Sequence, residues 1–472
     1  MAQLTLAGAN GAQTTVSDPE IEAFARGFKG DLIKPDTAGY DDARSIWNAM
    51  IDKCPSLIAR CTSTEDIVQA VRFAKAHGLL IAVRGGGHNI AGNASCEGGM
   101  VIDLSQMKSV KVDTESRTAT AEPGVTLADF DKATQEFGLA TPLGINSTTG
   151  IAGLTLGGGF GWLSRKFGLT IDNLIEAQVV TSTGDVLKAS ETENPDLFWG
   201  IRGGGGNFGI VSSFKYRLHP VGPEVLSGLI VHPMADAKKL LEFYREFTQT
   251  VPDDVTIWVV MRKAPPLPFL SEEWHGKEVL VFAVVCAGDA EAGATAIKPL
   301  REFGHPIADV IGMNPFAGFQ QAFDPLLTPG FRNYWKTHNF HELADGYIDE
   351  VIKSVGKLPS GHCEIFIGQM GGATSRVAPE ATAYLGRDAK FIMNVHGRWE
   401  TPAEDAAGVA WAREIFNAST PFSSGGAYVN FLTAEESDRV KSVYGPSFDR
   451  LVEVKRKYDP SNLFRLNQNI KP

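Results

Sequence analysis

The sequence predicts an α+β protein whose glycine-rich first part is followed by an inserted part of different texture. Three observations carry this reading. Short strands are interspersed with helices, the pattern of a sheet with helices packed on one face. Three glycine-dense turns, residues 83–92, 150–173 and 201–211, all lie before Tyr216. Beyond Tyr216 the glycine clusters stop and apolar strands separated by longer helices take over.

The first fifty residues read as polar and partly helical, broken at Pro35 and Gly39. TEDIVQAVRFAKAHG follows as a helix with Thr64 as N-cap, Ile67, Val68, Val71 and Ala74 as its apolar positions, and Gly78 as its stop. LLIAV (79–83) is a short buried strand, RGGGHNIAG a turn and GGMVIDL the next strand. TATAEPGV is a strand leading into the helix TLADFDKATQEFG, and residues 174–186 form a strand that turns at Gly184-Asp185 as a hairpin. In the second part, GLIVHP, DVTIWVVM, EVLVFAVV, CEIFIGQM and AKFIMNVHGRW are strands. DAKKLLEFYREFTQ, AEAGATAIKPLREF and AEDAAGVAWAREIFN are the helices between them. EESDRVKSVYGPSFDRLVEVKRKYDPSN reads as one amphipathic helix stopped by Asp459-Pro460.

Composition narrows the function. Hydrophobic residues at 43% and charged residues at 21% describe a globular chain able to bury a sizeable core. The net charge of −11 argues against nucleic acid or an anionic membrane as partner. No apolar run approaches the ~20 residues of a membrane span. The N-terminus MAQLTLAGANGAQTT lacks the basic and apolar regions of a secretory signal, so cytoplasmic residence is the expectation. Cys54, Cys61, Cys96, Cys286 and Cys363 are scattered and odd in number, with neither metal-ligand spacing nor a disulfide framework. No metal is expected.

The chemistry concentrates in the glycine turns. After the strand 79–83, the N–H groups of Gly85, Gly86 and Gly87 can curl into an anion-binding nest, with His88 at its exit. A bare glycine run is more often a structural turn. Three such turns suggest either a large phosphorylated ligand or several tight chain crossings. There is no GxxxxGK[ST]. Nor does GGGFG (157–161) have the spacing of a dinucleotide-binding βαβ turn.

RGGGHNIAG, GGMVIDLSQMKSV, GGGFGWLSRKFGLTIDNL and DLFWGIRGGGGNFGIV, in that order, resemble the PCMH-type FAD-binding oxidases of the vanillyl-alcohol oxidase superfamily. YVNF (428–431) and YDPSNLFRLNQNI (458–470) are similar to its berberine-bridge-enzyme-like branch. The resemblance runs from about Pro55 to the C-terminus and is weak in the middle third. It implies a PCMH-type FAD-binding domain of two α/β subdomains over residues 1–218. A substrate domain over 219–427 is inserted, with a mixed or antiparallel sheet covered by helices, and residues 428–472 return to the first domain. It also implies FAD as cofactor, joined covalently to His88 through the flavin 8α-methyl carbon. Some relatives attach the flavin a second time through a cysteine before GGGFG. Asn146 stands at that position here, so attachment through His88 alone is expected, and Cys96 is read as structural.

By the same resemblance, Arg84, Gly85, Gly86, Gly87, Asn89 and Gly92 form the pyrophosphate nest. Gly150, Gly153, Gly158 and Gly161 let the chain pass close to the flavin, with plain tight packing as the competing reading. Ile210 and Val211 offer main-chain contacts, and Asn467 and Asn469 complete the cofactor set. Tyr428 and Asn430, two apart, would share one side of an extended strand. Tyr428 resembles the tyrosine that takes the substrate hydroxyl proton as hydride leaves, a role for which a phenol of pKa near 10 needs a cation or hydrogen-bond donor. Phe431 departs from the tyrosine often found there. Asn394, His396 and Arg398 alternate along one strand, as a pocket wall or a solvated face, and Glu364, Gln369 and Tyr334 are further candidates.

The implied activity is an FAD-dependent oxidase. It would take hydride from an alcohol, hemiacetal, amine or activated C–H of a small organic substrate (sugar, alkaloid or secondary metabolite) and reduce O2 to H2O2. A dehydrogenase with another acceptor and a non-redox flavin-holding cyclase or binding protein are the alternatives. A UDP-N-acetylenolpyruvoylglucosamine-reductase type of activity does not suit the C-terminal motif.

Overall fold

The computed structural model describes residues 3–472 and contains three principal sheets. The described residues begin with a hairpin, Gln3–Ala7 paired with Gln13–Ser17, in a stretch read as polar and partly helical with no strand assigned. Gly11 (φ 83°) turns it, and Ser17 then caps the helix Asp18–Gly27 in a reciprocal pairing with Glu20. The next sheet has the order Asp31–Ile33, Leu57–Arg60, Met100–Asp103, Ile81–Arg84, with its last three strands parallel. Helix Thr64–Ala76 makes the crossover. Its N-cap is Ser63, one residue before the one expected, because the Ser63 hydroxyl accepts the Asp66 N–H (3.2 Å) while Thr64 is already helical.

A five-stranded antiparallel sheet follows: Val186–Ser190, Leu174–Val180, Ile210–Arg217, Thr118–Ala121 and Val110–Asp113. The hairpin expected at Gly184 is present within it.

The large sheet has eight strands, all antiparallel. Its central order is Glu224–Pro233, Glu278–Cys286, Val255–Lys263, Glu364–Gln369, Phe391–Trp399, Arg332–Phe340. The last of these, RNYWKTHNF, carries no apolar alternation and was not foreseen as a strand. It is buried on both faces, with Asn333, Lys336, Thr337, His338 and Asn339 all inside. Helices Ala237–Phe247, Ala290–Glu302, Asp345–Val355 and Asp405–Ser419 cover one face, where Leu240, Ile297, Val351 and Trp411 pack on Ile257, Phe282, Ile365 and Met393. The opposite face presents Trp258, Val260 and Phe366 to Phe160, Trp162 and Tyr428.

The C-terminal segment is not one helix. It runs as short turns from Ala434 to Tyr444, breaks at Gly445-Pro446, and resumes as Phe448–Tyr458. Pro446 has no N–H to continue the ladder, and Gly445 adopts φ 44°. The last helix is clamped by Lys455, which is fully buried and donates to Asp459 Oδ2 (2.7 Å) and to the carbonyls of Asn207 (2.8 Å) and Phe464 (2.9 Å). Asp459 in turn accepts the N–H groups of Leu463 and Phe464.

Two outcomes follow from these buried groups. Lys455→Met strands the Asp459 carboxylate and should cost about 3–5 kcal/mol in a denaturant titration; a loss below about 1 kcal/mol would remove the clamp from the account. Asp131 on helix Leu127–Gln135 accepts from Gln320 Nε2 (3.1 Å), and burial pushes its carboxyl up to about 7. An unfolded aspartate titrates near 3.9. The folded state therefore keeps a proton that the unfolded chain has lost, and stability drains as pH rises from about 4 to about 7. Asp131→Asn should flatten the fall in Tm across that window; an unchanged slope would assign the pH dependence elsewhere.

Candidate active site

The three glycine turns meet at one cavity of ≈ 320 Å³, within the usual range for small-molecule pockets. Gly85, Gly86 and Gly87 line it from the first turn, Gly150 and Gly153 from the second, and Gly205, Gly206 and Gly209 from the third. Gly86 and Gly150 touch: a Cβ on Gly86 would lie 2.3 Å from the Gly150 nitrogen, and the reverse approach is equally close. At Gly153 and Gly206 a Cβ would meet nothing within 4 Å, so these backbones leave open space facing the cavity. Asn89, Asn146, Ile210, Val211 and Asn467 complete this end. Asn467 Oδ1 is buried without a partner, an acceptor that a ligand hydroxyl would satisfy. Bare backbone from three turns plus an orphaned amide suits a long, phosphate-bearing dinucleotide such as FAD.

Five of the expected cofactor residues lie off the cavity lining. Arg84 is turned inward to Asp103 Oδ2 (2.6 Å) and the Ala43 carbonyl (2.5 Å), a buried ion pair behind the turn. Gly92 packs on Ile51, and Gly158 on Tyr384. At Gly161 a Cβ would come 1.7 Å from the Leu143 carbonyl oxygen. At these three glycines tight packing is what the structure shows. Asn469 is likewise outside the lining, its Oδ1 buried and unpartnered.

His88 sits half-buried on the lining with its ring stacked on Trp47 (centroids 5.0 Å, 22°). Burial pushes its pKa down to about 3, so the imidazole is neutral at ordinary pH. Its tautomer follows from its neighbours. Asn146 Oδ1 accepts both the Thr148 N–H (3.1 Å) and the Thr148 hydroxyl (2.8 Å). With that proton committed, Thr148 Oγ1 accepts from His88 Nε2 (2.9 Å), and Nδ1 is left facing the Thr149 hydroxyl (3.5 Å). Asn146 thus orients Thr148.

The lining also carries an aromatic set, Trp47, Phe160, Trp162, Trp258, Phe323, Trp335, Phe366 and Phe431, with Trp47 stacked on His88. Beside this set the polar groups are few: Arg262, Glu364, His396, Tyr428 and Asn430. Tyr428 and Asn430 are not on a strand, since residues Val429–Phe431 form a single 3-10 turn. They meet nonetheless: the Tyr428 hydroxyl accepts from Asn430 Nδ2 (2.9 Å) and from the Gly159 N–H (3.1 Å). Burial outweighs these two donors and pushes the phenol up to about 12, with no cation among its hydrogen-bond partners.

Of the alternating trio only His396 reaches the lining, and the whole strand Phe391–Trp399 is buried rather than solvated. Arg398 lies behind the wall, over Phe331 (4.0 Å) and bonded to the Thr328 carbonyl (2.6 Å). Asn394 is enclosed with neither amide atom partnered. Gln369 accepts the Ile257 N–H (2.9 Å) in the core, and Tyr334 bonds Arg413 (3.0 Å) and Glu435. Glu364 joins the lining; Arg262, Trp47, Trp258 and Trp335 were not anticipated. The spacing of Trp258, Val260 and Arg262 on one strand, ending in a charge, was the available signal.

Residues 55–190 match the family model described as FAD binding domain, and residues 427–471 the one described as berberine and berberine like. The chain is 32% identical to (R)-6-hydroxynicotine oxidase of Paenarthrobacter nicotinovorans, over 94% of this chain and 97% of that protein. An FAD-linked oxidoreductase of Dictyostelium discoideum is 30% identical over 96% and 97% of the two chains. Among solved structures, 6-hydroxy-D-nicotine oxidase from Arthrobacter nicotinovorans superposes with TM-score 0.85 at 31% identity, covering 94% of this chain and 98% of that one. Xylooligosaccharide oxidase from Myceliophthora thermophila, in complex with xylobiose, gives 0.83 at 25% identity, over 96% and 99%. With the glycine cradle, the C-terminal return and these relatives in agreement, the chain belongs to the berberine-bridge-enzyme-like FAD-linked oxidoreductases of the vanillyl-alcohol oxidase superfamily.

Proposed function

We propose that the protein is an oxidase carrying FAD covalently on His88 alone, which removes hydride from a small organic alcohol or amine and passes the electrons to O2. The supporting observation is the neutral His88 imidazole, with Nδ1 held only by the Thr149 hydroxyl at 3.5 Å, between the glycine cradle and the aromatic side chains of the lining. A neutral ring nitrogen is the form able to bond carbon. When bound, the isoalloxazine supplies the hydride acceptor and the O2 chemistry.

The chain's own groups do the rest. The cradle holds phosphates through main-chain N–H groups. The aromatic walls exclude water and favour a planar, ring-bearing substrate over a saccharide, whose many hydroxyls would find few partners. This brings the protein nearer in kind to the hydroxynicotine-oxidising relative than to the oligosaccharide oxidases. Tyr428 binds and orients: two donors occupy its oxygen, so its own O–H is free to donate to a substrate heteroatom.

Intact mass of acid-denatured protein tests the attachment. The wild type should exceed the chain mass by one FAD and His88→Ala should not; an unmodified wild type would overturn covalent attachment. The role of Tyr428 is read from Tyr428→Phe. Loss of one neutral hydrogen bond of about 0.5–1.5 kcal/mol lowers kcat/KM by roughly 2- to 12-fold, with the pH profile unchanged. A loss of about 10²–10⁴ together with the acid limb would instead make the tyrosine the base.

A further inference from the structure

The large sheet places four side chains in one transverse row. Arg262 is opposite Glu364, Glu364 opposite His396, and His396 opposite Trp335, across four successive strands. Directly opposed residues share a face of the sheet, about 5 Å apart, so the row forms a continuous chain of contacts. Arg262 donates to Glu364 Oε2 (2.7 Å), and His396 Nδ1 bonds Glu364 Oε1 (2.9 Å). The His396 ring lies on Trp335 (centroids 4.6 Å, 17°). All four line the cavity, and among the described residues His396 Nε2 has no hydrogen-bond partner.

Protonation follows from the partners. Burial alone would raise the Glu364 carboxyl, but the Arg262 guanidinium, the His396 bond and Arg398 outweigh it and hold it at about 2. An ionised carboxylate only accepts, so the Nδ1–H donates to Glu364, leaving Nε2 as the ring nitrogen open to proton transfer on the cavity side. Among the described residues, Arg262 and Glu364 are the only Asp, Glu, Lys or Arg side chains on the lining. Arg398, two residues along the His396 strand, faces Phe331 and acts on the row through Glu364. Tyr428, with its oxygen already accepting two bonds, lacks the cation a tyrosinate needs.

We propose that His396 Nε2, oriented by Glu364 and Arg262, is the base that takes the substrate's O–H or N–H proton. This rests on the oxidase reading above. The proton passes to Nε2 and forms an imidazolium. The electron pair of the broken O–H or N–H bond becomes the second bond of C=O or C=N, and the adjacent C–H hydrogen leaves with its two electrons to the flavin. Glu364 stays ionised and stabilises the imidazolium, as in other carboxylate-oriented histidine bases.

Two measurements on the holoenzyme test it. In the first, 4-nitrophenol is titrated into wild type, His396→Gln and Glu364→Gln, and its phenolate band is read by difference spectroscopy; no redox step is involved. Wild type should ionise the bound phenol at pH values where the free phenol is neutral, and His396→Gln should not. Glu364→Gln can present an N–H to Nδ1 and reverse the tautomer, and should lose the ionisation too. Wild type that leaves the phenol neutral or unperturbed overturns the proposal, as does His396→Gln that ionises it.

The second is anaerobic flavin bleaching by a benzylic amine or alcohol series from pH 5 to 10. His396→Gln should slow bleaching by about 10²–10⁴ and abolish the acid limb at unchanged flavin content, with imidazole rescuing His396→Ala. A loss under about threefold with the acid limb retained also overturns it. A phenol ionised through His396 in a protein whose flavin no substrate bleaches would overturn the oxidase reading instead, leaving the base assignment standing.

Discussion

The contact between the backbones at Gly86 and Gly150 governs the site. With a Cβ only 2.3 Å from the opposite nitrogen, neither position accepts a side chain unless the two segments separate. The second segment is also tied back to the start of helix Leu127–Gln135: Leu127 N–H donates to the Thr149 carbonyl (2.9 Å) and Ile151 N–H to the Val125 carbonyl (2.9 Å). One crossing thereby brings Asn146, Thr148 and Thr149 against His88 and fixes its tautomer. The bare backbone beside it serves as wall rather than as turn.

The rest of the lining is borrowed from distant stretches. The large sheet buries one face under helices in an ordinary apolar core and turns the other, with its charged row, toward the cavity. Burying a guanidinium and a carboxylate is costly unless they are paired. Here they pair with each other and with an imidazole whose other nitrogen takes no part in the pairing. Residues 428–431 arrive from the C-terminal segment, which the Lys455 clamp fastens to the third glycine turn through Asn207. Mobility of that tail would move Tyr428 and Asn430 with it.

This division explains which expectations survived. The glycine turns were legible because their order along the chain carries the family's motifs, and His88 because it follows one of them. Arg84 was misleading: beside a nest a cation suggests phosphate, yet Asp103 on the neighbouring parallel strand neutralises it. The strand Arg332–Phe340 hid because polar residues filled both faces, each satisfied or enclosed by partners far away in sequence. Alternation placed Asn394, His396 and Arg398 on one side, but could not say where along that side the cavity ended. Arg262 looked like the end of an apolar strand until its register put it beside Glu364.

By itself, the sequence determined the α+β class, the motif order and hence the family, the histidine beside the cradle, and the lack of a thiol at Asn146. Those are properties of local pattern: backbone freedom at glycine, periodicity of apolar residues, identity at a position. The tertiary structure decided which glycines face the cavity and which are merely packed, that Tyr428 and Asn430 meet around a 3-10 turn, and that His396 belongs to a row with Glu364 and Arg262. The first and last of these depend on strand register and chain crossings between residues tens to hundreds of positions apart, where one residue of slip exchanges the two faces of a strand, whereas the Tyr428–Asn430 contact depends on a local turn.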